Sequence, residues 1–323
     1  MTSHRKRLED CLTNKNSDRP PVALWRHSPV DDQTPQGLAR AITIFQRTFD
    51  FDLVKVTPAS SYCLKDWGTQ DEWRGNPEGT REYTRRVILD PEDWGQLPLL
   101  NPKRGYLGTE LETLRLLVQE LGPDTPIIHT IFNPLSQAKN LVGGGELLIH
   151  LRRYPDALHL GLKIIAESTM RYIQALHEIG IDGIFYAIQH AQYGLLTEQE
   201  YQQFGKTYDL QILEPAKDFW VKMLHLHGKD VMFDLAADYP VNILNWHDRE
   251  TDPSLSLGMM RFPGAVCGGV SQDMLVYGTP DQVRSQALEA IQATGGQRVI
   301  LGTGCVTPII APFGNILALR QAV

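Results

Sequence analysis

The sequence predicts an α/β fold, and more specifically a (β/α)8 TIM barrel. Short apolar runs alternate with longer amphipathic segments, which is typical of a parallel sheet whose strands are joined by crossover helices. Eight strand-like runs occur, each followed by a helix-like stretch, and eight such units are what the barrel requires. A doubly wound open sheet is the competing arrangement, but no glycine-rich dinucleotide fingerprint follows the first strand.

Each predicted element is an apolar or amphipathic run bounded by polar, glycine or proline residues. The predicted strands are residues 20–26, 52–58, 126–132, 181–187, 221–227, 241–247, 264–270 and 298–304. The predicted helices are residues 35–49, 107–121, 156–179, 198–216, 232–238, 253–261, 279–294 and 308–322. The clearest helix start is at residue 279, where Thr279 can act as N-cap, Pro280 occupies the first turn and Asp281 favours the helix dipole.

The connection after the second predicted strand, residues 59–105, is too long for a plain barrel loop. It contains three tryptophans, and its run EYTRRVIL could pair as a hairpin. An ordered insertion of this size usually acts as a lid or as a subunit contact. We find no linker or internal repeat, so the sequence predicts one barrel domain over residues 1–323 with this insertion.

Composition narrows the class of function. The net charge is −7, from 31 Lys+Arg and 38 Asp+Glu, and no long basic run occurs, which argues against nucleic acid or an anionic membrane as partner. A small-molecule substrate is therefore expected. The sequence has no charged-then-apolar leader and no apolar stretch near the roughly 20 residues that span a bilayer, so we expect a cytoplasmic protein. The four scattered cysteines are expected to be reduced thiols.

Catalytic residues of a barrel lie at the carboxyl ends of its strands, so polar residues there are candidates for a site. We expect Arg26 to bind an anionic substrate group, with an ion pair to Asp248 as the alternative. His247 and Asp248 are expected to orient or protonate substrate, unless they only pin a charged loop to the rim. Four further residues are expected to contact substrate: His129, Tyr186, Gln189 and His190.

The stretch MLHLHG predicts a metal site. His225 and His227 are two positions apart on a predicted strand, so both imidazoles project to the same side. Zinc favours histidine nitrogen and cysteine sulfur, and we predict a zinc site on His225, His227 and Cys305, with Cys267 as a candidate fourth ligand. In the alternative interpretation the histidines are hydrogen-bonded rim residues and both cysteines are small buried hydrophobic residues.

Several runs in order along the chain together resemble the uroporphyrinogen decarboxylase superfamily. They are RPPVALWRH, DFDLVKVTPASSYCLKDWG, NPEGTREYTRRVILDPEDW, IFNPLSQAKNL, GIDGIFYAIQH, PVNILNWHDRET and ILGTGCVTPIIAPFGNILAL. The resemblance extends from about Arg19 to the C-terminus and implies a (β/α)8 barrel, often as a homodimer. It implies one of two activities: decarboxylation without a cofactor, or zinc-dependent transfer of methyl groups between a corrinoid and a thiol such as coenzyme M.

The residues that the resemblance implies for a decarboxylase are mostly missing. Arg26 matches the first arginine of the carboxylate-binding stretch, but the second falls at about Val30. The aspartate that holds the pyrrole nitrogens should lie near Thr57, where the sequence is Val-Thr-Pro, and none of these side chains can accept four N–H groups. Three other positions also differ, at Asn140, Ala187 and Thr303.

The methyltransferase pattern is matched more closely. The resemblance implies a His-x-Cys-Gly zinc motif and a later cysteine; here HLHG and GTGC occupy those places, so that His227 replaces the middle cysteine. An imidazole in place of a thiolate makes zinc more electron-poor and a stronger Lewis acid, so an oxygen or carboxylate acceptor also becomes an option. We therefore predict a zinc-dependent methyltransferase-like enzyme, and any methylcorrinoid donor would be carried by a separate protein. The alternatives are a cofactor-free decarboxylase using Arg26 as anchor and a non-catalytic binding barrel.

Overall fold

The computed structural model describes residues 2–323 and is built around a parallel sheet of seven strands. Neighbouring strands follow each other in chain order, and every neighbouring pair is parallel. The strands of this sheet are β1 (Val54–Val56), β4 (Ile127–Phe132), β5 (Gly183–Ile188), β6 (Val221–Leu226), β7 (Ile243–Trp246), β8 (Ala265–Val270) and β9 (Val299–Thr303). The predicted α/β class is confirmed, and the arrangement is that of a TIM-barrel-like fold.

The first predicted strand, residues 20–26, is not a regular strand, since it forms only one ladder bridge, from Val22 to Leu301. It is still an extended segment between the two edges of the sheet. On one side the Ala23 N–H donates to the Leu301 carbonyl, and on the other the Asp52 N–H donates to the Val22 carbonyl. Pro20 and Pro21 have no N–H to donate, which explains why the ladder is incomplete here.

Helices form the outer layer, and their bounds differ from the predicted ones in several places. The helices are α1 (His4–Leu12), α2 (Pro35–Phe49), α3 (Gly105–Leu121), α4 (Pro134–Val142), α5 (Gly144–Arg153), α6 (Pro155–His177), α7 (Glu198–Tyr201), α8 (Thr207–Leu213), α9 (Leu255–Arg261), α10 (Gln272–Tyr277), α11 (Pro280–Thr294) and α12 (Phe313–Arg320). None of these helices of the described chain is both long enough and apolar enough to cross a bilayer.

Four of these helices, α1, α4, α5 and α10, were not predicted, and three predicted helices need correction. The predicted helix 198–216 is divided by a π-helical segment, Gln202–Lys206, between α7 and α8. Residues 232–238 form a short 3-10 helix, Phe233–Asp238, and only the second half of 308–322 is helical, as α12. Proline at 308 and 312 delays that last helix.

Buried side chains form two hydrophobic clusters, one on each face of the sheet. The outer cluster lies between the strands and the helices. The inner cluster fills the barrel interior and is closed at the amino ends of the strands by Leu8 and Cys11 of α1. Because side chains alternate between the two faces of a strand, neighbouring residues belong to different clusters, such as Phe185 to the inner one and Tyr186 to the outer one.

The amino ends of the strands are held by an ion-pair network centred on Asp52, which is fully buried. Its carboxylate accepts hydrogen bonds from Arg7 at 2.6 Å, from Arg19 at 2.6 Å and from the Val22 N–H at 2.8 Å. The network ties α1 and the first extended segment to the start of β1. In barrels of this kind the amino ends of the strands contribute to stability, whereas the active site lies at the carboxyl ends.

The insertion 59–105 folds over the carboxyl ends of the strands. It contains two 3-10 helices, Lys65–Trp67 and Pro91–Gln96, and an antiparallel pair, β2 (Gln70–Glu72) with β3 (Glu82–Arg85), so the EYTR run does pair as predicted. Trp94 is fully buried against α6, where Gly161 leaves room for its ring. Trp94 therefore anchors the insertion to α6, and other residues of the insertion line the pocket described below.

Candidate metal centre

A cavity of about 630 Å³ opens at the carboxyl ends of the strands, between the sheet and the insertion. Its inner part is lined by aromatic and ionisable side chains of the strands, including Trp25, Lys55, Phe185 and His225. Its outer part is lined by the insertion, through residues from Ser60 to Arg86. The cavity is large enough for a small-molecule ligand and lies where barrel enzymes bind their substrates.

Four side chains with metal-binding atoms converge on one wall of the cavity. His225 lies on β6, and His227, His247 and Cys305 follow β6, β7 and β9; the four donor atoms lie within 4.8 Å of one another. Cys305 Sγ is 3.7 Å from His225 Nε2 and 3.8 Å from His227 Nδ1, and His247 Nε2 is 3.3 Å from His227 Nδ1.

These separations fit a tetrahedral zinc ion. With zinc–nitrogen bonds of about 2.05 Å and zinc–sulfur bonds of about 2.3 Å, tetrahedral geometry places nitrogen and sulfur ligands about 3.6 Å apart and two nitrogens about 3.3 Å apart. The three distances given above agree with those values to within about 0.2 Å, and all donor atoms lie within 4.8 Å of one another. The chemistry of the donors, imidazole nitrogen and thiol sulfur, is also what zinc prefers.

The tautomer of His225 is determined by Asn245, its partner in the β6–β7 ladder. The amide nitrogen of Asn245 donates to the Cys267 and Thr303 carbonyls, at 2.9 and 3.0 Å, so its oxygen must face His225. That oxygen is 2.7 Å from His225 Nδ1 and accepts a hydrogen bond from the Nδ1–H group. His225 Nε2 is thereby left with a free lone pair directed at the cluster, which is the form that binds metal.

Burial keeps the cluster neutral when no metal is bound. It lowers the pKa of His225 well below its usual value and lowers the pKa of His227 to about 4, with the neighbouring imidazoles adding to both shifts. Burial also raises the pKa of the Cys305 thiol to about 12. Neutral imidazoles are ready to bind a metal, whereas the thiol must lose its proton as the metal enters.

Three cations that face the cavity lack a carboxylate partner within residues 2–323. Lys55 is almost fully buried, and its ammonium lies 4.4 Å above the Phe185 ring; burial lowers its pKa to about 7. Lys139 of α4 donates to Gln189 at 2.9 Å, and burial together with the charge of Arg86 lowers its pKa to about 8. Arg86 itself donates to the Asn140 carbonyl. This part of the cavity attracts anions.

Two predicted substrate contacts lie on the opposite face of the sheet from the cavity. The Tyr186 hydroxyl donates to Asp209 at 2.8 Å, inside the layer between sheet and helices. His129 Nε2 lies 3.1 Å from the Tyr172 hydroxyl in the same layer. Their strand neighbours Thr130 and Ala187 line the cavity instead. The structure therefore does not bring Tyr186 and His129 into the site, because side chains alternate along a strand and these two point outward, toward the helices.

The structure also places both charged rim candidates away from the cavity. The Arg26 guanidinium stacks 4.6 Å above the Phe45 ring, between the sheet and α2. Asp248 follows His247, but its carboxylate turns away and accepts the Gly269 N–H at 3.1 Å, and burial raises its pKa to about 7. Arg26 and Asp248 are also not paired with each other.

The remaining candidates divide between the cavity and its surroundings. Gln189 lines the cavity. Burial lowers the pKa of His190 to about 3, and the nearby Lys139 and His227 add to that shift. Cys267 is fully buried in the inner hydrophobic cluster and is not among the four converging residues. His247, predicted to act on substrate, is one of those four.

No clear sequence signal marks the residues of the insertion and of α4 that line the cavity. Glu78, Arg81, Arg86 and Lys139 all line it, but none of them follows a barrel strand directly. The one usable signal was Lys55, a lysine inside an otherwise apolar predicted strand. A lysine in that position has to be buried, and burial of an unpaired lysine is costly, which makes Lys55 unusual.

Comparison with known proteins identifies the family. The family model described as uroporphyrinogen decarboxylase (URO-D) matches residues 32–323. The chain belongs to this family. Its curated relatives include the methylcobamide:CoM methyltransferase MtaA of Methanosarcina barkeri, 25% identical over 81% of this chain and 77% of the relative. They also include a uroporphyrinogen decarboxylase of Christiangramia forsetii, 26% identical over 78% of this chain and 71% of the relative.

Solved structures agree on the fold. A methyltransferase from Methanosarcina mazei superposes with a TM-score of 0.86 at 21% identity, over all of this chain and 98% of the other. A B12-independent methionine synthase from Shewanella sp. W3-18-1 superposes with a TM-score of 0.60 at 13% identity, over 94% and 92% of the two chains. The relatives of this chain are thus enzymes of two kinds, methyltransferases and decarboxylases.

Proposed function

We propose that this protein is a zinc-dependent, methyltransferase-like enzyme that moves a methyl group from a corrinoid or another donor to a small acceptor. The observation that carries the proposal is the convergence of His225, His227 and Cys305 at separations suited to tetrahedral zinc. The relatives whose names describe methyl transfer from a methylcobamide to CoM support it. The donor's corrinoid would be carried by a separate protein.

In this proposal His225, His227 and Cys305 hold zinc, and Asn245 fixes the lone pair of His225. When bound, zinc supplies Lewis acidity, which lowers the pKa of a thiol or other acceptor and makes it a better nucleophile at neutral pH. The inner cluster below the ligands, including Cys267, excludes water from that side. The ligands therefore lie in a site of low polarity, open only toward the cavity.

The unpaired cations indicate the chemistry of the acceptor. Lys55, Arg86 and Lys139 face the cavity without a carboxylate partner among the described residues, so we infer an acceptor that carries a negative charge. Gln189 is held by Lys139 and would contact the same group. The insertion 59–105 covers the cavity in our proposal as a lid, which would keep water from the methyl group.

A cofactor-free decarboxylase is the second candidate, and the same cations favour it. A carboxylate substrate would bind among three basic side chains that lack a carboxylate partner in the described chain, Lys55, Arg86 and Lys139. A uroporphyrinogen decarboxylase is also among the relatives. The anchor would be Lys55 rather than Arg26, because Arg26 stacks on Phe45 outside the cavity. This candidate leaves the converging histidines and Cys305 without a role, so we place it second.

The two candidates can be separated by assaying both reactions on zinc-loaded protein. With methylcobalamin as donor and 2-mercaptoethanesulfonate as probe, the methyl group would pass to the thiolate sulfur, the thiol proton to solvent, and cob(I)alamin would be left and measured by its absorbance. We expect the rate to fall roughly a hundredfold or more in Cys305→Ala. We expect Lys139→Gln to raise KM roughly tenfold, because it removes a charged hydrogen-bond donor.

Lys163→Gln, on the exposed side of α6, is the matched control and should leave both parameters unchanged. Release of CO2 from a carboxylic acid by zinc-free protein, with no methyl transfer to any thiol, oxygen or carboxylate acceptor, would contradict the proposal and favour the decarboxylase.

A further inference from the structure

We infer that His247 is a fourth protein ligand, so that the zinc centre is built from three histidines and one cysteine. This inference rests on the proposed function, since it concerns the same zinc ion. It differs from the sequence prediction, which gave His247 a role toward substrate and Cys267 the fourth position. It also differs from the His-x-Cys and Cys pattern that the chain resembles, which supplies one imidazole and two thiolates.

The geometry of the His247 ring supports coordination. Its Nε2 is 3.3 Å from His227 Nδ1, the separation expected for two nitrogens on one tetrahedral zinc. A hydrogen bond between the two imidazoles would explain that single distance. It would not require His247 Nε2 to lie also within 4.8 Å of the donor atoms of His225 and Cys305, as it does. Convergence on three atoms from two other strands indicates a shared central ion.

The backbone holds His247 in this position. Its carbonyl accepts the Glu250 and Thr251 N–H groups, at 2.8 and 2.9 Å, which closes a tight turn directly after β7. Asp248 and Arg249 bind the Gly269 N–H and carbonyl of β8 and thereby fasten the turn to the sheet. A metal ligand has to be held in place by its backbone, and this fixed turn meets that requirement.

The other nitrogen of His247 also has a partner of the kind that metal-bound histidines use. Its Nδ1 lies 3.6 Å from a Glu250 carboxylate oxygen. This separation is longer than a hydrogen bond, so the Glu250 carboxylate would favour this ring orientation by its charge, whereas Asn245 holds His225 by a direct hydrogen bond of 2.7 Å. His225 and His247 therefore each have one ring nitrogen beside a side-chain partner and the other nitrogen among the converging donor atoms.

A centre with three neutral imidazoles and one thiolate has a different charge from one with two thiolates. Zinc with His225, His227, His247 and Cys305 would carry a net charge of about +1, whereas two thiolates would neutralise the ion. Because four protein ligands fill a tetrahedral zinc, an acceptor would either displace His247 or enter as a fifth ligand. A residual positive charge would attract an anionic acceptor more strongly and make zinc a stronger Lewis acid. The unpaired cations Lys55 and Lys139 act in the same direction.

Zinc K-edge X-ray absorption of the zinc-loaded protein tests the inference directly, because multiple scattering counts imidazoles. We expect three imidazoles and one sulfur in the wild type. In His247→Ala we expect two imidazoles and one sulfur, with oxygen or nitrogen from solvent in the fourth place, and zinc affinity lowered roughly tenfold or more. His190→Ala is the control, since His190 is a buried histidine beside the cluster but outside it; it should keep three imidazoles.

The outcomes separate this inference from the proposed function. Two imidazoles and one sulfur in the wild type, unchanged in His247→Ala, would overturn the role of His247 and leave the three-ligand site standing. Three imidazoles and one sulfur without any methyl transfer would support His247 and count against the proposed reaction. The wild-type spectrum decides the question even if the variant fails to fold, and a wild type that binds no zinc overturns both.

Discussion

Asn245 orients His225, one of the proposed metal ligands, although its own side chain is uncharged. It lies opposite His225 in the β6–β7 ladder and has both amide hydrogens committed to the Cys267 and Thr303 carbonyls. Its oxygen accepts a hydrogen bond from the Nδ1–H group of His225. The strand geometry thus determines that Nδ1 of His225 carries the proton and that Nε2 is free to bind a metal.

Substitution of Asn245 should weaken zinc binding more than it weakens the fold. In Asn245→Ala the His225 ring can rotate or change tautomer, so we expect the zinc dissociation constant to rise roughly 10 to 100-fold. Competition with a chromophoric chelator measures it. Asn242→Ala is the matched control, because Asn242 lies just before the same strand and bonds to the backbone at residues 220 and 222, far from the ligands. Equal affinity in both variants would contradict the role of Asn245.

For single residues, the sequence predicted which residue types form the site better than it predicted which face of a strand each side chain occupies. The spacing of His225 and His227 predicted that both face one side, and the structure brings both together with Cys305 at the cavity. His129 and Tyr186 occupy equally suitable stretches of sequence, but lie on the outer face. Both faces of a barrel strand are buried, so hydrophobic alternation does not reveal which residues face inward.

Among the structural elements, the turn after β9 brings Cys305 to the histidines. Gly304 lies against the backbone at His247, and a β-carbon there would be 2.6 Å from the His247 Cα and 2.6 Å from the Trp246 carbonyl oxygen. No real β-carbon lies that close to backbone atoms, so only glycine allows the two strand ends to approach this closely. The distance between the β7 and β9 ligands depends on this contact.

Gly304→Ala should therefore separate the ligands. We expect the free energy of unfolding to fall by roughly 1 to 3 kcal/mol, because backbone must move to make room. We also expect zinc affinity to fall, since Cys305 moves with the turn. Chemical denaturation and chelator competition measure the two effects. Gly194→Ala is the control, because a β-carbon at Gly194 meets no atom within 4 Å; a Gly304→Ala variant that behaves like it would show that the contact is dispensable.

Elements with a strong local signal were predicted correctly, and elements that depend on tertiary contacts were not. The Thr279 cap marks α11 within one residue, and seven of the eight predicted strands overlap strands of the parallel sheet. The first segment pairs too sparsely to form a regular strand because of Pro20 and Pro21. The path of the insertion, which contributes Arg86 and Glu78 to the cavity, depends on packing of Trp94 against α6 and is not encoded by any local pattern.

For the molecule as a whole, the two ends of the sheet have different tasks. The proposed metal ligands and the cavity lie at the carboxyl ends of the strands. The amino ends are fastened by Asp52, which is fully buried and bound by Arg7, Arg19 and His4. Burial alone would raise the pKa of Asp52, but these hydrogen bonds outweigh it and lower the pKa to about 2.

Asp52→Asn should lower stability without removing metal. It leaves Arg7 and Arg19 facing a neutral group, so we expect a loss of roughly 3 kcal/mol at pH 7. Because the pKa of Asp52 is lower in the folded protein, its stabilising effect is present above about pH 4 and is lost as the pH falls toward 2. The difference between wild type and variant in urea unfolding should therefore shrink on acidification, while zinc per chain stays unchanged.

Asp50→Asn is the control for this experiment, since Asp50 is largely exposed and its ion pair with Arg320 should contribute less than about 1 kcal/mol. An Asp52→Asn variant that loses zinc along with stability would show that the two ends of the barrel are not independent.

The most direct test of the whole account is the amount of zinc bound per chain, measured by elemental analysis on protein purified without chelators or an affinity tag that binds metal. We predict about one zinc per chain in the wild type, and its loss from His227→Ala and Cys305→Ala while circular dichroism shows that both variants remain folded. Wild-type protein that stays free of zinc after reconstitution would contradict the account, and would leave a cofactor-free reaction at Lys55 as the function to pursue.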